Sequence, residues 1–330
     1  GTAGNDSLDG TADADLITGD AGNDTLNGEA GADTVDGGVG ADFLYWDANS
    51  GATGVQDIYH GGTGGEGFDD SPYSQNGGDT LSLGATGSAS GFSVTLTDGF
   101  SGTATDAYGN ILTFDGMERL RTGDGADTIN ASAATGTGYE GIRIHTGGGD
   151  DVITGSAATD YINAGSGNDT IHGGDGNDVI EAGAGDDSVF GEDGNDGIRW
   201  GDGNYDGPIG NDFFDGGTGY NSLNAWQYDA AGNGVNMVLT SATSGTVDAT
   251  GAATGHLAFQ NFENLLTGHG SDTVDGTAAG AGGFRVYTAW GNDLVLGSVG
   301  GDQIEGGYGA DTINAGAGND AISMTGGLFS

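Results

Sequence analysis

Single aliphatic residues recur along this chain at nine-residue intervals, each between polar or small neighbours. Leu8, Ile17, Leu26, Val35 and Leu44 form one run, and Ile153, Ile162, Ile171, Ile180, Val189 and Ile198 a second. Val295, Ile304, Ile313 and Ile322 form a third. The triplet around each, such as Thr25-Leu26-Asn27, reads as a minimal strand whose middle side chain points inward. One inward residue in nine builds no core alone; it does so when successive turns stack, as in a solenoid. Between the runs the period is lost but strand character stays. Phe92-Ser93-Val94-Thr95-Leu96-Thr97 and Val235-Asn236-Met237-Val238-Leu239-Thr240 alternate as half-buried strands do. These segments predict wider coils or hairpins that continue the solenoid. Helix signals are nearly absent. The predicted class is all-β: a parallel β-roll, or β-solenoid, of stacked nonapeptide repeats with wider strand-containing inserts.

Two residues before each aliphatic stands an aspartate. The positions are Asp6, Asp15, Asp24, Asp33 and Asp42; Asp151, Asp160, Asp169, Asp178, Asp187 and Asp196; and Asp293, Asp302, Asp311 and Asp320. Isolated copies stand at Asp127, Asp212 and Asp272. The cleanest repeat is Gly173-Gly174-Asp175-Gly176-Asn177-Asp178-Val179-Ile180-Glu181, whose glycines supply the turn. If two nonapeptides make one coil, residues eighteen apart stack at a strand spacing of ~4.8 Å. Asp6 then lies on Asp24, and Asp24 on Asp42. Like charges at that distance cost about 1 to 4 kcal/mol per pair, depending on the effective dielectric. A cation between turns removes that cost. Carboxylates and turn carbonyls are hard oxygen ligands, which select calcium over zinc or copper, and over magnesium with its strict octahedron. All eighteen aspartates named here are candidate ligands for multiple calcium ions.

Composition sharpens this picture. Asp and Glu total 49 against five basic residues, all arginine (119, 121, 143, 199 and 285), for a net charge of -44. That balance argues against nucleic acid and anionic membrane surfaces as partners. It would suit a disordered acidic tail, but 35% of residues are hydrophobic and they fall at fixed spacing. No cysteine is present, so disulfides and thiolate metal sites are excluded. No run approaches a membrane span and no signal-peptide pattern opens the sequence, which predicts a soluble chain without membrane insertion.

The register resembles the G-G-x-G-x-D-x-U-x repeat of RTX (repeats-in-toxin, hemolysin-type) proteins over residues 1–45, 122–130, 147–204 and 268–323. The resemblance implies a parallel β-roll with calcium held between turns, export by type I secretion, and folding outside the cell or at its surface. Some copies depart from the pattern. Tyr205 and Asn221 occupy aspartate positions, and Asp13, Ala158 and Gly301 replace other consensus residues.

A longer period of about 150 residues overlies the short one. Asp6 to Asp42 map onto Asp160 to Asp196, and Trp46 onto Trp200. Phe114-Asp115-Gly116-Met117-Glu118-Arg119-Leu120 parallels Phe259-Gln260-Asn261-Phe262-Glu263-Asn264-Leu265. The expected organisation is a tandem unit 1–154 (β-roll 1–45, insert 46–121, β-roll start 122–154). A second follows at 155–296 (β-roll 155–204, insert 205–266, β-roll start 267–296), then a partial third unit, 297–330. A third unit stopping short suggests a window from a longer array, with Ile322 and Leu328 at an edge that invites a further coil.

No enzyme is expected. Zinc-protease, nucleophile-elbow and Walker signatures are missing, and His60, His145, His172, His256 and His269 show no ligand spacing. Arg143 and Arg285, at equivalent positions, could meet an acidic glycan, but a salt link to a carboxylate such as Glu140 is the simpler expectation. Trp46, Trp200, Trp226 and Trp290 could stack on sugars, whereas packing in a widened core is the better expectation for Trp46 and Trp200. The functional expectation is a secreted structural solenoid, part of a larger cell-surface, S-layer, adhesin or filament protein, in which calcium drives folding and rigidity. Self-association into a rod, filament or layer is the expected partnership, and a glycan or cell-surface ligand stays open. The alternative is the non-catalytic calcium-binding region of a type I-secreted hydrolase, epimerase or toxin. Ice binding fails because the second repeat position reads Thr2, Thr11, Asp20, Glu29, Gly38 and keeps no flat row.

Overall fold

The predicted triplets are strands, and successive coils pair them in parallel. The computed structural model describes residues 1–46, 53–63, 78–84, 91–98, 100–134, 140–201, 209–227, 233–250 and 254–324. The chain folds as two compact units, Gly1–Ala164 and Gly165–Ser330.

In the first unit, one parallel face runs through Ser7–Thr11, Thr25–Glu29, Phe43–Trp46, Thr80–Leu83, Arg119–Arg121 and Glu140–Gly148. Its first steps hold the eighteen-residue register: Leu8 pairs with Leu26, and Leu26 with Leu44. The opposite face starts with Leu16–Thr18, Thr34–Val39 and Gln56–Thr63, again in parallel. Here the insert enters as a three-stranded antiparallel meander. Ile111–Asp115 lies parallel to Gln56–Thr63 and antiparallel to Ser101–Thr105, which lies antiparallel to Ser93–Asp98. Ser93–Asp98 then pairs in parallel with Thr128–Asn130, and Thr128–Asn130 with Val152–Thr154. Each strand has at most two neighbours in this row, so it is an open sheet.

The second unit repeats the plan. Val179–Ala184, Gly197–Arg199, Ser222–Gln227, Asn264–Gly268, Arg285–Tyr287, Gln303–Glu305 and Ala321–Ser323 form one parallel face. On the other face Gly255–Gln260, Gly245–Ala249 and Asn233–Leu239 are the antiparallel meander. It sits between Gly210–Asp215 and Ser271–Asp275. The inserts are therefore hairpins built into a coil, as their alternation predicts. Their inward residues join the core: Val94, Leu96, Leu112 and Phe114 in one unit, and Met237, Leu239, Val247 and Leu257 in the other, all buried.

Inward aliphatics such as Leu26, Val35, Ile171 and Val189 are fully buried. Thr25 and Asn27 flank Leu26 with alternate exposure, as a pleated strand requires. Ile322 is 50% exposed; Leu328 lies outside the described residues. Trp46 and Trp200 are buried at the junction of roll and insert, as expected for a widened core. Among the described residues no helix is found.

Candidate metal centre: the aspartate ladder

The aspartates stack as the period requires, but a hydrogen bond joins them as well as a repulsion. Along the regular coils the aspartate backbone N–H donates to Oδ1 of the aspartate one coil on: Asp6 to Asp24 at 2.7 Å, Asp15 to Asp33 at 2.9 Å and Asp24 to Asp42 at 2.8 Å. In the second unit Asp169 donates to Asp187, Asp178 to Asp196 and Asp302 to Asp320, at 2.9 to 3.0 Å. A second ladder runs the other way from the residue just before the aspartate. Asn5 Oδ1 accepts from Asn23 N–H, and Asn23 Oδ1 from Ala41 N–H. Asn168, Asn177 and Asn292 act alike. The Asn-Asp pair of the repeat thus satisfies turn amides that no strand can reach.

The ladder crosses the inserts, which corrects three expectations. Asp127, Asp212 and Asp272 look isolated in sequence, yet each has an aspartate neighbour. Asp127 N–H donates to Asp151 Oδ1, Asp187 N–H to Asp212 Oδ1, and Asp272 N–H to Asp293 Oδ1, at 2.8 to 2.9 Å. The separations are 24, 25 and 21 residues, because a longer coil changes the count while the strand register stays. Sequence reasoning also missed rungs inside the inserts. Asp33 N–H donates to Asp57, Asp42 N–H to Asp79 and Asp79 N–H to Glu118, over 24, 37 and 39 residues. In the second unit Asp196 N–H reaches Asn221 Oδ1, and Asn221 N–H reaches Glu263 Oε2. The available signal was the acidic residue shared by the two aligned insert ends, Glu118 and Glu263. Tyr205 lies outside the described residues.

With Oδ1 engaged, the second oxygen decides the chemistry. Among the described residues, Oδ2 of Asp24, Asp42, Asp187, Asp196 and Asp311 is buried without a hydrogen-bond partner. A buried anionic oxygen without a donor is costly. Burial pushes the carboxyl of Asp187 up to about 8, and those of Asp196 and Asp293 to about 6. Asp127 and Asp272 rise to about 7 and Asp212 to about 6, again from desolvation. The space beside Oδ2 exists only because a glycine lies five residues upstream: a Cβ on Gly19 would collide with Asp24 Oδ2. Among the described residues no three His, Asp or Glu side chains converge on one point. A cation here would therefore meet single carboxylates from the turns together with backbone carbonyls, a donor set of hard oxygens that fits calcium.

Other candidates resolve differently. Trp46 Nε1 donates to Asp57 Oδ2 at 2.6 Å, and Trp200 Nε1 to Asp212 Oδ2. His60, His172 and His256 are exposed and pair with Asp115, Glu192 and Asp248. Trp290 stacks on His269 at 4.4 Å and lies nearly parallel to Tyr308 at 5.9 Å, with 40% of its surface exposed. Arg285 donates to Tyr220 Oη at 3.1 Å in place of the expected salt link. Arg143 lies opposite Arg119 in register, and the side chains of Glu140 and Trp226 lie outside the described residues. Arg199 forms an ion pair with Glu181.

The profile of the RTX calcium-binding nonapeptide repeat matches residues 1–35, 9–44, 112–134, 137–171, 164–198, 172–205, 207–226 and 287–322, more than half of the chain. The chain belongs to the RTX calcium-binding nonapeptide repeat family. Repeats of this family bind calcium, and its proteins are typically secreted by the type I route. The matches at 112–134 and 207–226 reach into the inserts, where the ladder was found to continue. Among solved structures, the extracellular lipase LipA from Serratia marcescens is 18% identical over 76% of this chain, with a TM-score of 0.16. The match spans 37% of that lipase's chain. No curated protein matches.

Proposed function

We propose that this RTX chain is an exported structural β-roll that folds around calcium, with the aspartate ladder as its ligand. The observation that carries this reading is the buried, unpartnered Oδ2 of Asp24, Asp42, Asp187, Asp196 and Asp311. The turn aspartates with such a bare oxygen are the leading candidate ligands, and metal binding contributes directly to folding free energy. The expected outcome is a β-type far-UV circular dichroism spectrum in millimolar calcium that collapses in excess chelator at neutral pH. A native spectrum in chelator defeats the proposal.

At a finer level, the role is non-catalytic: part of a tandem-repeat surface layer, adhesin or filament outside the cell. The two units share the roll–meander–roll plan, and this repetition supports a building element. The net charge of -44 opposes lateral contact, so assembly is expected to require calcium. Electron microscopy of the native material with and without chelator checks this. Monodisperse monomers of the parent protein in millimolar calcium reject it and favour the calcium-binding region of a secreted enzyme or toxin.

A further inference from the structure

The turns that lead into the ladder are of two kinds. In the first, two residues adopt positive φ, four and two positions before the aspartate. Before Asp178 these are Gly174 (φ 105°) and Gly176 (φ 134°), values that an L side chain rarely adopts. The conformation is retained even where the first of the two is not glycine: Asp20 (φ 74°) before Asp24, and Glu192 (φ 73°) before Asp196. Such left-handed residues are held at a cost of about 1–2 kcal/mol, which marks the turn shape as required.

The second kind reads Gly-Ser/Thr-x-x-x-Asp and occurs at Gly1–Asp6, Gly10–Asp15, Gly155–Asp160 and Gly297–Asp302. No residue of these four turns has positive φ. The hydroxyl accepts the N–H two residues on, from Gly4, Asp13, Ala158 and Gly300 at 3.4, 3.2, 3.1 and 2.9 Å. That small side-chain turn rotates the backbone N–H of Thr2, Thr11, Ser156 and Ser298 inward, onto aspartate Oδ2 at 2.5 to 2.7 Å. The hydroxyl itself donates to the same carboxylate at 2.8 to 2.9 Å.

We infer that the four Gly-Ser/Thr turns hold no calcium, and that each is a metal-independent rung of the roll. Donors occupy the oxygen that the Gly-Gly turns leave bare, and an N–H directed at a carboxylate occupies the place of a cation. Burial does not explain the difference. Asp160 and Asp302 are as deeply buried as Asp24 and Asp187, yet the first two are satisfied and the last two are not. Three of the four turns stand at residues 1, 155 and 297, where the long sequence period begins, and the fourth, at residue 10, follows in the next nonapeptide of the first repeat. Each tandem repeat therefore opens on a rung that needs no ion. Asp13 and Ala158, which depart from the family repeat, fall inside these turns and follow from their different geometry.

This inference rests on the calcium reading, and one experiment separates the two. Bound calcium is counted per intact chain by native mass spectrometry in the calcium-loaded state. Asp187→Asn is expected to lower the count, and Asp160→Asn to leave it unchanged. The double substitution Ser156→Gly with Ala158→Gly rebuilds a Gly-Gly-x-Gly-x-Asp turn and is expected to raise the count by one ion. A loss in Asp160→Asn equal to that in Asp187→Asn, or an unchanged count in the double variant, overturns the inference. If Asp160→Asn does not fold, the double variant keeps the carboxylate and decides alone. A count that Asp187→Asn leaves unchanged overturns the calcium reading itself.

Discussion

At the scale of the residue, each ladder aspartate does two jobs with two oxygens. Asp187 Oδ1 accepts from Asp169 N–H while its own N–H donates to Asp212, and its Oδ2 has no donor. In calcium, Asp187→Ala removes a ligand and strands a backbone N–H. A loss of roughly 3–5 kcal/mol is expected, as for breaking a buried ionic network. In chelator the same substitution removes a carboxyl whose buried Oδ2 has no donor, so the loss should shrink or reverse. Thermal melts in both conditions check this, and equal losses contradict it. Asp272, which its apparent isolation in sequence would make cheap to replace, accepts from Val235 N–H and from Thr267 Oγ1. Asp272→Ala is accordingly expected to destabilise with or without calcium, by about 1–3 kcal/mol for stranded donors; a melt unchanged in chelator would contradict this.

At the scale of the element, the meander lengthens a coil without breaking the stack. Ile111–Asp115 and Ser93–Asp98 present parallel edges to the coils on either side, and the extra strand is accommodated between them. Trp46 and Trp200 fill the core where the coil widens and place an indole N–H on the aspartate of the next rung. Trp200→Phe keeps most of the apolar volume and deletes that donor. The expected cost is about 1–3 kcal/mol in chelator, from leaving Asp212 Oδ2 unsatisfied in a buried site. Calcium should offset part of it by reaching the freed oxygen. A chelator melt that Trp200→Phe leaves unchanged rules out a structural role for this bond.

At the scale of the whole molecule, charge and burial set the response to pH. The raised carboxyls of Asp187 (about 8), Asp127 and Asp272 (about 7) and Asp196, Asp212 and Asp293 (about 6) all hold protons more tightly folded than unfolded. Unfolded, they titrate near ~4. Between about pH 4 and pH 8 the folded metal-free chain binds more protons, so its stability falls as pH rises through that window. The net charge of -44 acts in the same direction. Chelated protein is therefore expected to melt higher at pH 5 than at pH 8. With calcium the order reverses, because the ion needs the deprotonated carboxylates. A chelated melting temperature that climbs from pH 5 to pH 8 would contradict the buried-carboxylate account.

Much of this was legible in the sequence because the repeat is local. A nine-residue spacing of Leu26, Val35 and Leu44 determines which side chains face inward. A doubled spacing determines that Asp24 sits between Asp6 and Asp42, whatever the rest of the chain does. The family follows from the same register. The partners across the inserts were settled only by the tertiary structure. Asp42 with Asp79, or Asn221 with Glu263, are set by strand register, which is kept while the number of intervening residues changes. The division of labour between Oδ1 and Oδ2 was likewise hidden. It depends on whether the turn before the aspartate takes positive φ or closes on a hydroxyl, and that choice decides whether an N–H points at the carboxylate or away from it.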